Sequence, residues 1–261
     1  MTRSSRSPLR LLASLGIEHP GEIDVEAIAF SCGATVVYEP LQGCAGRILG
    51  YEDRAIITVD SDCSRARQRF TAAHELGHWL RDRGSVSQFS CSQQDFVLSW
   101  GKEDPERRAN RFAAELLLPE PMFRRDAKDR ELVFDSVREL ADVYETSLTS
   151  TAIRLVKLGS FPGMIVCNER GAGRWRWFVR GPLVPDSIWP VDRPGRESVA
   201  FELLNDVEPG GKEVVPVSAW VEGDGLDRFA VHEDTLVVGR YVLSLLWWRD
   251  ESHLLSILEG D

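Results

Sequence analysis

The segment Phe70-Thr-Ala-Ala-His74-Glu75-Leu-Gly-His78-Trp-Leu80 constrains this chain more than any other stretch. Two histidines stand four residues apart in an apolar setting, with a glutamate directly after the first. On an α-helix, positions i and i+4 share one face. Both imidazoles then reach a single point, which suits one metal ion at about 2.0–2.1 Å from each nitrogen if the ion is zinc. Glu75 lies beside that face, too constrained to be a further ligand but able to reach a water next to the ion, as a general base must. The sequence around the motif supports a helix over 64–81, with Asp62 and Ser64 both able to cap it. The β-branched run Ala55-Ile-Ile-Thr-Val59 directly before it reads as a strand, the second arm of a hairpin over 46–60.

A catalytic zinc needs three protein ligands and one open position. The next acidic helix, from about Asp104 to Leu118, stops at Pro119 and buries Ala109, Phe112, Ala113, Leu116 and Leu117 by helical phase. Glu106 borders that face, one turn before Asn110. Glu115 points away from it, and Glu103 and Asp104 fall at a fraying end. Glu106 is therefore the expected third ligand, and Asn110 is a candidate to hold the far nitrogen of His74 or His78.

The remaining pattern gives short helices at 9–16 and 23–32, a strand at 34–38, a polar Ser/Gln-rich loop over 84–100, and helices at 121–128 and 134–158 with a break near Glu145–Ser147. After Phe161-Pro162-Gly163 the texture becomes β-type, with runs at 164–167, 174–180, 214–221, 229–232 and 235–248. Six of the eight tryptophans fall here. The fold class expected is α+β. Its expected parts are a metal-binding domain at 1–128, a helical hairpin at 129–160 and a β-rich sensor or substrate-docking domain at 161–261.

Charge narrows the function classes. The chain carries a net charge of −10. Residues 160–261 hold 10 basic against 17 acidic side chains, and the remainder holds 21 against 24. Neither part has the basic surplus that phosphate binding demands. Residues 137–155 have a helix-turn-helix cadence, but a groove-reading helix would be more basic, so direct DNA binding is disfavoured. The five cysteines are odd in number, widely spaced and free of a Cys-x-x-Cys pair, which fits a reducing cytoplasm. The opening Leu11–Ile17 run lacks a cleavage site and is followed at once by Glu18, His19 and Pro20, so it reads as an ordinary helix. No run approaches the roughly 20 apolar residues of a membrane span.

Residues 67–78 (Arg-Gln-Arg-Phe-Thr-Ala-Ala-His-Glu-Leu-Gly-His) and 106–119 (Glu-Arg-Arg-Ala-Asn-Arg-Phe-Ala-Ala-Glu-Leu-Leu-Leu-Pro) resemble the ImmA/IrrE family of metallopeptidases. The lead-in over Tyr38-Glu-Pro-Leu, Gly43–Gly46 and Ile56-Ile-Thr-Val59 is similar too, so the likeness runs over roughly 10–158. It implies a zincin-like fold with a small antiparallel sheet over the motif helix, metal ligands His74, His78 and Glu106, and catalytic Glu75. It also implies a protein substrate, a helix-turn-helix repressor of the Cro/cI type, whose cleavage derepresses stress or mobile-element genes. Zinc suits the ligand set best, with manganese and iron left open. The strand bearing Ile56, Ile57 and Thr58 is expected at the cleft edge, where an extended substrate pairs with it. Tyr51 and Tyr144 are candidates for a second oxyanion donor. The competing reading is a non-catalytic metal-binding regulator that sequesters a repressor, although a structural metal site needs no base such as Glu75.

Overall fold

The computed structural model describes residues 7–81, 88–91, 104–208, 210–211, 213–222, 226–249, 252 and 254. It is α+β, and the chain divides into two compact units. One comprises residues 1–123 and 141–147, the other 124–140 and 148–261.

In the first unit, α1 (Pro8–Ser14) and α2 (Val25–Ser31) precede three strands, β1 (Ala34–Glu39), β2 (Gly46–Tyr51) and β3 (Arg54–Asp60). Ser7 and Asp24 cap the two helices through their side chains. The hairpin β2–β3 turns at Glu52, which takes a positive φ of 50°. Helix α3 (Arg65–Arg81) follows, then β4 (Gln88–Cys91) and α4 (Pro105–Leu117). Asp104 caps α4 by accepting from the Arg107 N–H at 2.8 Å, with Pro105 pre-set at the first helical position.

The strand order is β1-β3-β2-β4. The sheet is mixed where an antiparallel one was expected: β1 runs parallel to β3 across Ala34–Glu39, while β2 pairs antiparallel with both β3 and β4. The reason is topological. β2 and β3 form a hairpin, and β1 adds to the far side of β3, so β3 is central. Within the expected loop over 84–100, residues 88–91 form the edge strand β4, which pairing to β2 creates despite a weakly strand-like composition. The rest of that loop lies outside the described residues.

β3 alternates only at its start, with Ala55 and Ile57 buried and Ile56 half exposed, and is buried continuously from Ile57 to Asp60. Helix α3 is buried on nearly every side from Thr71 to Trp79, as befits a helix with packing partners on more than one face. Asp60 fixes its entry, accepting from the N–H groups of Leu41 and Asp62, both at 3.2 Å.

Helix α5 (Glu120–Asp126) follows, and the division between the units falls within it, after Phe123. Helices α6 (Phe134–Tyr144) and α7 (Leu148–Leu158) are separated at Glu145, whose φ of 49° ends the first helix, as the break near 145–147 anticipates. The second unit is built on a sheet ordered β6-β5-β9-β8-β7, antiparallel throughout. Its strands are β5 (Gly163–Glu169), β6 (Trp175–Arg180), β7 (Val214–Pro216), β8 (Ala230–Val238) and β9 (Tyr241–Trp247), with α8 (Val199–Leu204) between β6 and β7. The single run expected over 235–248 is two strands, because Gly239 takes a φ of 61° and reverses the chain. Trp220, Trp248, Met164, Val166 and Leu246 lie in the core of this sheet.

Candidate metal centre

Two glycine contacts determine how closely the motif helix packs. On the sheet side, a Cβ at Gly46 of β2 would sit 2.4 Å from Thr71 Cγ2 and 3.3 Å from Glu75 Oε1. On the helix side, a Cβ at Gly77 of α3 would sit 3.1 Å from Phe112 Cβ and 3.2 Å from Ala109 Cα. Ala109 is one turn beyond Glu106 and Phe112 one turn beyond Ala109, so the three form a slanting row along α4. The missing side chain at Gly77 lets that row come down on the motif and brings Glu106 over the histidines.

The convergence is tight. His74 Nε2 lies 3.2 Å from Glu106 Oε2, and His78 Nε2 lies 3.3 Å from Glu106 Oε1. The two imidazole nitrogens are 3.0 Å apart, with ring planes near perpendicular at 76°. An ion held tetrahedrally at about 2.0–2.1 Å has ligand-to-ligand edges of about 3.3–3.4 Å. Each nitrogen has a different Glu106 oxygen at close to that distance, and one ligand atom from each residue can be chosen with all three within 4.8 Å of one another, so the residues fit a single ion. Two nitrogens and one carboxylate are a catalytic ligand set, with a fourth position left for water or substrate. The described residues thus hold a His74–His78–Glu106 group able to bind a metal ion.

The electrostatics agree. Contact with His74, then with His78, holds the Glu106 carboxyl well below the usual carboxylate range, against the opposing effect of its partial burial. Asn110 Oδ1 lies 2.9 Å from His74 Nδ1. An amide oxygen only accepts, so Nδ1 donates to it, which holds the ring with Nε2 on the Glu106 and His78 side, where it can bind an ion. Glu75 is fully buried, next in the chain to His74, with Oε1 against Gly46. His74, Glu75, His78, Glu106 and Asn110 are thereby brought together.

The expected substrate-binding strand is not at an edge. Ile56, Ile57 and Thr58 pair with Thr35, Val36 and Val37 on one side and with Leu49, Ile48 and Arg47 on the other. Both backbone edges of β3 are used, so no extended peptide adds there. Tyr51 stands exposed at the hairpin turn, and Tyr144 packs on Phe123 in the core. Gly46 and Gly77 escaped the sequence reading. The available signal was glycine inside a strand and inside a helix, where it costs stability and so marks a close approach.

Among solved structures, a Mycobacterium tuberculosis transcriptional regulator is similar in fold. It is 13% identical with a TM-score of 0.57, over 97% of this chain and 78% of that one. No curated protein matches the sequence. The family model of peptidase M78, described as the IrrE N-terminal-like domain, matches residues 31–156, a stretch that contains both the His74–His78 helix and Glu106. Over those residues, just under half of the chain, the sequence matches the peptidase M78 family, the ImmA/IrrE type.

Proposed function

We propose that the protein is a zinc-dependent endopeptidase of the cytoplasm whose substrate is a helix-turn-helix repressor of the Cro/cI type. The observation that carries this reading is the convergence of His74, His78 and Glu106, their ligand atoms within 4.8 Å of one another, with a buried glutamate adjoining the first of them. His74, His78 and Glu106 hold the ion, and Asn110 fixes His74. The bound ion supplies Lewis acidity, which makes a water nucleophilic near neutral pH and steadies the charge that develops on the attacked carbonyl. Glu75 takes the proton from that water and returns it to the leaving peptide nitrogen. The free thiols of Cys32, Cys44, Cys63 and Cys167 suit a reducing compartment. The neighbour in fold being a transcriptional regulator accords with a regulatory substrate.

The test is incubation of the zinc-loaded chain with a helix-turn-helix repressor encoded beside its gene, with cleavage followed by mass spectrometry. Cleavage by the wild type and its loss in Glu75→Gln is the expected result. Binding of the repressor without any cut in the wild type would turn the reading to a sequestering regulator.

A further inference from the structure

One buried polar group next to the metal centre is unused by the chemistry above. Thr71 lies one helical turn before Glu75 on α3 and is 1% exposed. Its Oγ1 is buried with no hydrogen-bond partner among the described residues. A helical threonine commonly rests its hydroxyl on the carbonyl four residues back; that bond to Arg67 is not made. A valine would fill this place without stranding a hydroxyl, so the sequence carries a polar group at a net cost in stability. Thr71 Cγ2 and Glu75 Oε1 both face the point where Gly46 has no side chain, at 2.4 Å and 3.3 Å from it. A turn of 120° about χ1 carries Oγ1 into the place of Cγ2, and threonine is the β-branched residue that populates two such wells in a helix.

We propose that Thr71 is a positioning residue for Glu75: in the zinc-loaded protein its hydroxyl donates to the Glu75 carboxylate, directly or through one water, and fixes the oxygen that takes the proton. Gly46 keeps the space in which this happens. The inference rests on the peptidase reading for its kinetic consequence but not for its geometry.

The experiment compares wild type, Thr71→Val and Thr71→Ser as zinc-loaded full chains. Zinc content, thermal midpoint, and kcat and KM on dye-labelled casein or the cleaved repressor are measured. Thr71→Val should keep one zinc per chain and a midpoint no lower than wild type, while kcat falls about tenfold, the scale of one charged hydrogen bond. KM should stay constant, and Thr71→Ser should restore most of kcat. A Thr71→Val kcat within twofold of wild type overturns the proposal, as does a loss that serine does not rescue. If the wild type binds zinc and cuts nothing, the peptidase reading fails by itself. A crystal structure of the zinc form then decides for Thr71: Oγ1 bonded to Glu75, directly or through one water, upholds it, and Oγ1 bonded to the Arg67 carbonyl overturns it.

Discussion

Each unit of the chain carries a glutamate withdrawn from solvent, and the two titrate in opposite directions. Glu106 in the first unit is partly covered, yet its carboxyl is held far below the ordinary range by His74 and His78. Glu233 in the second is 4% exposed, and burial raises its carboxyl above the ordinary range. The partners explain the contrast. Glu233 accepts from the N–H groups of Val199 and Ala200 at 3.2 and 2.8 Å and from the Thr235 hydroxyl at 3.0 Å, all neutral donors that fix the start of α8. Glu106 faces two ring nitrogens brought close enough to share one cation. A buried acid with neutral donors is architecture, whereas an acid converging with imidazoles forms a site.

The sharpest break in that comparison comes from the group beside the ligands. Glu75→Gln should leave bound zinc unchanged and lower kcat by about 10²–10⁴, the usual worth of a general base. Zinc analysis and the repressor assay read both effects. Asn110→Ala should come next, weakening zinc affinity by about 10–100-fold by freeing the His74 ring, measured by competition with a chelator.

For Glu233 the sign runs the other way. Its folded carboxyl is raised, so the neutral form is the one the fold prefers. Its contribution is full below the ordinary carboxylate pKa of 4.5 and is lost as pH climbs through the raised value. Glu233→Gln should flatten this part of the stability profile. Glu233→Ala should destabilise by about 1–3 kcal/mol because the Val199 and Ala200 N–H groups lose their acceptor. Denaturant melts across pH measure both.

The convergence of the candidate ligands was legible in the sequence because each rests on helical phase: His74 and His78 at i and i+4, and Glu106 by its place bordering the apolar face of α4. Asn110 follows from the same arithmetic. Strands β1, β2 and β3 were equally plain from β-branched runs and the turn at Glu52-Asp53. What could not be read was pairing. Nothing local in Ala34–Glu39 says that it joins β3 in parallel, and nothing in Gln88–Cys91 says that it becomes the edge, since both follow from partners distant in sequence. The split of 235–248 at Gly239 was missed because strand-like residues flank it so closely. Helix α8 is six residues long, capped by Ser198 and by Glu233 from another strand, a signal that exists only in three dimensions.

The position of β3 gives the most local test, and its Ile56 variant the smallest effect. Ile56 and Ile57 are neighbours with the same β propensity, yet Ile56 is 50% exposed and Ile57 is 0% exposed. Ile57→Ala should cost about 2–5 kcal/mol, since it opens a cavity in a packed interior. Ile56→Thr touches only the outer face of the sheet and should stay within about 0.5 kcal/mol. It should also leave repressor cleavage unchanged, because β3 is paired on both sides and offers a peptide no backbone. A large loss of cleavage in Ile56→Thr at unchanged stability would mean that the outer face of this sheet meets the substrate through side chains. Chemical denaturation and cleavage rates on the same two variants separate the outcomes.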